Sequence, residues 1–414
     1  MALGLCLFFL AYVLISAPRL RLLALDRPAA ALFGALAFVI TGIQSPAQAI
    51  SAVNMETLLL LFGLMGVGAV LKQQGILATA SEWALQRFAR PQALLGALVW
   101  GAGALSALIT NDAVCVLGTP LVVSWIKRRH LPAFPFLLAL ATAANTGSVA
   151  TLVGNPQNML CATLGGLQYR SYLAHMLPVA VVALAINHAM IAWLFKEKLR
   201  QAEEAAPNPH WQAELPQSDS AWSRRFTFIV LAISVAAYLA GAHLAITAVA
   251  AFTALLVIQG NEGHKLWAGI EWTVLVFFSA LFVIVDGLVR SGGAAALLSL
   301  MPLAIERQAL GAVVQTAMMF LAGSNLVSNV PFILVIQPQL ETLAAPAFWW
   351  ELLAMASTFA GNMTLLGSVA NIIVAEGGAE VGGLGFWRYF KVGFPLALIT
   401  TLLGAVWLYA LAAS

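Results

Sequence analysis

The chain is built from two successive series of long apolar runs. They fall at about residues 2 to 17, 29 to 43, 55 to 71, 92 to 126, 134 to 165 and 172 to 195, then at 226 to 243, 245 to 259, 272 to 289, 308 to 343, 348 to 375 and 388 to 412. Continuous runs of this length predict membrane-spanning helices and exclude a closed β-barrel, whose strands alternate in polarity over about ten residues. Only 9% of the 414 residues are charged, against about 25% in soluble domains. The expected fold class is therefore an all-α polytopic membrane protein. Several runs fall short of the ~20 residues a bilayer needs, so their ends must extend into flanking residues. The first has no basic leader and no small-residue cleavage site ahead of Arg19 and Arg21, and reads as a retained span.

Between the series lies the one long polar stretch, residues 196 to 225, a linker. It separates a first unit, 1 to 195, from a second, 226 to 414. The units match in order and in sequence. "METLLLLFGLMGVGAVLKQQG" pairs with "IEWTVLVFFSALFVIVDGLVRSGG", setting Glu56 opposite Glu271. "LITNDAVCVLGTPLV" pairs with "LVSNVPFILVIQPQL", setting Asn111 opposite Asn329. "TLVGNPQN" pairs with "TLLGSVAN", setting Gly154 opposite Gly367 and Asn158 opposite Asn371. The offsets are 213 to 218 residues, so one unit of about 210 is used twice.

Lys and Arg orient the chain. Let the N-terminus lie outside, let the runs at 92 to 126 and 308 to 343 be hairpins that enter and leave on one side, and let every other run cross. Of the 20 Lys and Arg, only Arg170, Arg290 and Arg307 then fall outside. Each unit crosses about five times, an odd number, so the second is expected upside down relative to the first. Both termini are expected outside, in the inner (plasma) membrane.

Each unit carries two interruptions. One is a hairpin tip, Ser106 to Cys115 and Gly323 to Phe332. The other is a broken crossing helix, over 134 to 165 and 348 to 375, with breaks at Asn145 to Asn158 and Phe359 to Asn371. Irregular backbone at membrane depth leaves N–H and C=O groups unpaired, which is tolerable only where they face protein, water or a solute. Four such places in register predict one central site rather than four packing kinks. A half-helix that starts at mid-membrane presents free N–H groups and the positive end of its dipole. Asn155-Pro156 reads as an N-cap and first-turn Pro, and so does Asn329-Val330-Pro331. The expected substrate-binding residues are Thr110, Asn111, Thr146, Gly147, Ser148, Thr151, Gly154, Asn155 and Asn158 in the first unit. In the second they are Ser328, Asn329, Asn362, Thr364, Gly367, Ser368 and Asn371.

Asp112 is the one acid at a hairpin tip, and its repeat partner is Val330. An acid at that depth is a proton carrier or cation ligand, or else an N-cap. Glu56 and Glu271 begin their spans and read as interfacial. Asp286 is spaced to pair with Arg290, and His188 reads as a packing residue. Cys6, Cys115 and Cys161 show no CxxC spacing and read as small buried apolar residues.

The tips "TNDAVCVLGTPLV" and "SNVPFILV" and the paired breaks "ATLVGNPQN" and "TLLGSVAN" resemble the ion transporter superfamily, in its arsenite permease and Na⁺/H⁺ antiporter D branch, over nearly the whole chain. That resemblance implies ten or so crossings, two re-entrant hairpins, a scaffold half and a moving half, and often a homodimer. It places Asn111, Asp112, Asn329 and both breaks in the substrate and coupling-ion site. The related dicarboxylate branch carries Ser-Asn-Thr at both tips, which Thr110-Asn111-Asp112 departs from. Arsenite permeases export neutral As(OH)₃ or its antimony analogue against protons, and the thiols of Cys115 and Cys161 are candidate contacts for such a metalloid. A Na⁺-coupled carboxylate or oxyanion carrier, or a Na⁺/H⁺ antiporter, is the alternative on the same scaffold. The chain carries no HExxH, no paired-acid motif and no GxxxxGK[ST], so neither an intramembrane enzyme nor an ATPase is expected, although an ATPase subunit fits as a partner. No cofactor, resident metal or nucleic-acid partner is expected.

Overall fold

The computed structural model describes residues 1–16, 26–204, 221–260, 263–299, 309–343 and 346–413. Among them every regular element is a helix. The first half runs α1 (Ala2–Ser16), α2 (Arg27–Ile40), α3 (Pro46–Ala52), α4 (Met55–Gln73), α5 (Ile76–Arg87), α6 (Pro91–Leu108), α7 (Asn111–Arg129), α8 (Ala133–Ser148), α9 (Pro156–Gly165), α10 (Tyr169–Leu194) and α11 (Lys196–Glu204). The second runs α12 (Ala221–Leu239), α13 (Leu244–Gln259), α14 (Gly263–Leu266), α15 (Trp272–Arg290), α16 (Gly293–Ser299), α17 (Leu310–Val327), α18 (Asn329–Leu340), α19 (Pro346–Met363), α20 (Val369–Gly377) and α21 (Phe386–Ala413). The expected linker therefore begins as a helix. Arg200 donates to Glu197 at 2.7 Å and holds that carboxyl below its usual range, while Leu199 buries itself on the α11 face that meets α6. Residues 205 to 220 of the linker lie outside the described residues.

Among the described residues 7 helices are long and apolar enough to cross a membrane, and α1, α2 and α13 are shorter apolar helices. The arms α6 and α17 are each 18 residues, about 27 Å at 1.5 Å per residue, so length alone does not make them hairpin arms. The hairpin reading rests instead on the asymmetry of Lys and Arg.

The helices sort into two bodies. In one, α1 packs on α2, α2 on α15, α4 on α13 and α12 on α13. In the other, α8 meets α6, α7 and α10, and α19 meets α17, α21 and α9, with α20 against α7. At the centre of the second body, every residue from Phe134 to Ser148 and from Trp349 to Asn362 is buried. A helix that is apolar nearly all round belongs inside, and α8 and α19 are such helices apart from Thr142 and Glu351 and their C-terminal ends, which carry Asn145, Thr146, Ser148, Ser357, Thr358 and Asn362.

Peripheral expectations divide. Asp286 pairs with Arg290, and His188 packs its ring on Gly96 of α6. Cys115 and Cys161 are buried, but Cys6 is exposed on α1, because that helix packs on the rest through its Phe8 and Ala11 face.

Candidate substrate and coupling site

The four interruptions come together between α8 and α19. In the first half, α8 ends at Ser148 and α9 begins after Asn155, whose side chain accepts the Asn158 N–H at 2.8 Å with Pro156 in the first turn, the expected cap. In the second half, Ser368 stands in the cap position of α20, yet its hydroxyl donates to Asn145 Oδ1 at 3.1 Å instead of capping. The first tip is capped by Thr110, which accepts the Ala113 N–H at 3.3 Å, so Asp112 is not the cap. The second tip corrects the sequence reading: Ser328, at φ +72°, takes the cap position and Asn329 lies inside α18. Asn329 is thereby free to send Nδ2 to Gly367 O at 3.4 Å, while its buried Oδ1 and the buried Ser324 hydroxyl have no partner.

Side chains from the two halves interlock by one repeated rule. Asn158 Nδ2 donates to Ser148 O and Thr151 O (3.1 and 2.9 Å), and Asn371 Nδ2 to Gly361 O and Thr364 O (2.6 and 3.1 Å). Each pair of equivalent residues is 213 apart. The same spacing relates contacts that cross between halves. Asn145 Nδ2 donates to Asn371 Oδ1 at 2.9 Å, and its equivalent Thr358 donates to Asn158 Oδ1 at 2.9 Å. Ser368 reaches Asn145, and its equivalent Asn155 donates from Nδ2 to Thr358 Oγ1 at 3.1 Å. The bonds are reciprocal, i of one half meeting j of the other and j meeting i, the pattern that a two-fold relation gives. The amides thus tie each broken helix to the other across the centre.

Asn145 is the hub. It accepts from Asn111 Nδ2 at 2.8 Å and donates to Asn362 Oδ1 at 3.1 Å besides meeting Asn371 and Ser368. Asn362 in turn donates to Thr146 Oγ1 at 2.9 Å, Ser148 accepts from Asn155 Nδ2 at 2.8 Å, and the Thr151 hydroxyl donates to Ala107 O at 2.7 Å. The Asn111 N–H donates to Gly154 O at 2.9 Å. Gly147 and Gly154 permit close approach, since a Cβ on either would lie within 2.5 Å of backbone atoms. Thr364 donates to Asn325 Oδ1 at 2.9 Å, and Gly367 lies beside Asn325. The expected residues therefore converge, except Ser328, whose side chain is exposed.

Asp112 is half-buried in the first turn of α7, facing the backbone N–H of Ala370 at the start of α20 and within electrostatic reach of Glu271. It is the one charged side chain on the tips and breaks. The two thiols do not meet: Cys115 and Cys161 belong to separate apolar cores. Sequence reasoning missed Asn145, Thr358 and Asn325 as site residues. The 213-residue spacing would have exposed the first two, because it sets Asn145 opposite Thr358.

A buried polar centre made by two broken helices in a polytopic helical protein defines a membrane transporter. The citrate transporter family profile matches residues 10–360, and the chain belongs to that family. It is 29% identical to the silicon efflux transporter LSI3 of Oryza sativa subsp. japonica, over 94% of this chain and 93% of that one. It is 27% identical to a Dictyostelium discoideum protein described as a transporter, arsB, over 92% and 87%. The fold is similar to the crystal structure of the YdaH transporter of Alcanivorax borkumensis, with a TM-score of 0.56, 17% identity and coverage of 99% and 98%. The chain is a secondary transporter, not an enzyme.

Proposed function

We propose that the protein exports small neutral inorganic hydroxides, arsenite and antimonite, in exchange for protons, with Asp112 as the coupling site. The observation that carries this reading is the chemistry of the centre: amides, hydroxyls and carbonyls, with no Lys or Arg on either tip or either break. A citrate or other multivalent carboxylate would enter without a counter-charge, whereas As(OH)₃ needs only donors and acceptors, which Asn329 Oδ1 and Ser324 Oγ offer unpaired. A cavity of about 520 Å³ between the two bodies is lined by Ser51, Asn54, Glu56, Asp286, Leu334 and Gln337, with no Lys or Arg on its wall to attract an anion. The silicon efflux relative, by its name, handles an element whose hydroxide is likewise neutral.

In this reading the two units are inverted repeats, the basic face is cytoplasmic and both termini are outside. The body of α6–α10 and α17–α21 moves against the body of α1, α2, α4, α12, α13 and α15. The cargo crosses by alternating access. The positive dipole ends at the starts of α7, α9, α18 and α20, which converge on the centre, favour a second reading, a Na⁺-coupled anion carrier.

Uptake of arsenite, antimonite, silicic acid, Na⁺ and citrate into everted vesicles separates the two. Proton-driven, Na⁺-independent arsenite uptake is expected, and Asp112→Asn is expected to abolish the proton-driven component while leaving arsenite exchange that needs no proton gradient. Strict Na⁺ dependence, or citrate uptake in its place, sinks the proposal.

A further inference from the structure

The two-fold rule of the centre is broken at two acids. Asp112 has Val330 as its counterpart. Glu351 of α19, at the 213-residue spacing, has the fully buried Leu138 of α8. Nothing in the central network uses Glu351. Its side chain is 8% exposed and meets His175 Nδ1 of α10 at 2.9 Å, while His175 is 37% exposed. The His175 carbonyl accepts Trp407 Nε1 of α21 at 2.9 Å, which pins α10 at this point. The helices α10 and α21 match at Tyr172 with Tyr389 and at Pro178 with Pro395, both 217 apart, so His175 has Val392 as its counterpart. Leu138 and Val392 share one apolar core. The same architectural position is thus filled by a hydrocarbon pair in one half and by an acid and an imidazole in the other.

Packing does not require charge there, and a well-packed apolar pair generally equals or exceeds a buried ion pair in stability. The acid also lies in register with the centre. Glu351, Thr358 and Asn362 share one stripe of α19, with Glu351 about 10 Å along the axis from Thr358. The other elements packed on α19 are sparse in titratable groups. α8, α17 and α18 carry none, α9 carries Cys161, and α10 adds Tyr172, whose buried hydroxyl has no partner. On α21, Tyr409 lies nearby, while Arg388, Tyr389 and Lys391 are at the far end, more than about 20 Å along the helix from Trp407.

We propose that Glu351 and His175 form a proton-binding site, distinct from Asp112, that exchanges protons with the membrane face where α10 begins and sets the pH dependence of transport. His175 is the exposed member through which a proton enters, and Glu351 the buried member that holds it. In the orientation proposed above that face is outside.

The test uses the full-length protein in lipid nanodiscs, followed by the infrared carboxyl C=O band during a pH titration. Acidification is expected to raise a protonated-carboxyl band from Glu351 that persists in Asp112→Asn and is missing from the Glu351→Gln titration, where only the absorption of Asp112 and the surface carboxyls remains. His175→Gln is expected to move its midpoint without removing the band. The double substitution Glu351→Leu with His175→Val copies the other half, so it is expected to fold with an unchanged or raised melting temperature, lack the band, and flatten the pH profile of arsenite exchange. This last readout alone rests on the cargo reading. The band present without arsenite transport would refute the cargo and keep the site. A band indifferent to Glu351, or an exchange profile unchanged in the folded double variant, overturns the inference.

Discussion

Asn145→Ala is expected to abolish solute transport and to lower stability by about 2 kcal/mol, since four side-chain hydrogen bonds end on this residue and each interhelical bond in a membrane averages ~0.6 kcal/mol. The loss also strands Asn111, Asn362, Asn371 and Ser368 in a buried place, which adds to the cost. Transport suffers more than stability, because these groups hold the start of α7 and the ends of both broken helices in register. Asn187→Ala is the control. It too removes a buried amide, but one that meets a single side chain, Thr142 at 3.1 Å. Thermal melts in detergent and arsenite exchange measured side by side check the expectation. An Asn145→Ala protein that melts with Asn187→Ala and still transports would show that the hub is not a hub.

The second large effect is steric. A Cβ on Gly147 would sit 2.1 Å from Gly103 O and 2.3 Å from Gly103 Cα, both backbone of α6, where no side chain can swing aside. Gly147→Ala must push α8 away from α6 just where α8 ends, and is expected to cost about 3 kcal/mol or more. Gly101→Ala, on α6 itself, meets nothing within 4 Å and is expected to be neutral or to stabilise slightly, as Ala does over Gly in a helix. Yield and melting temperature of the two variants decide it, and equal behaviour would show that the α6–α8 contact is looser than described.

The broken helices were legible because their punctuation is local. Asn155 before Pro156 is a cap and a first turn in any context, and the structure keeps both. At the second tip the same logic failed. Asn329 looked like a cap, but Ser328 adopts φ +72° and takes that position, because Asn329 reaches Gly367 on another element. Local preference there yields to a contact 38 residues away. The thiols stand outside the polar network, Cys161 packed in one apolar core and Cys115 in the other.

What the sequence by itself determined is the class and the presence of matched segments in its two halves. Long apolar runs must be helices in a bilayer, and the matched breaks must face something polar, because unpaired backbone has no other solvent there. What only the tertiary structure decided is which groups satisfy which. The crosswise exchange of Asn145, Thr358, Asn155 and Ser368 joins residues some 200 positions apart. Every Asn or Thr in these segments is chemically able to make such bonds, so pairing is set by how α8 and α19 pack, and the departures of Asp112 and Glu351 from the two-fold pattern acquire meaning only once that pattern is seen.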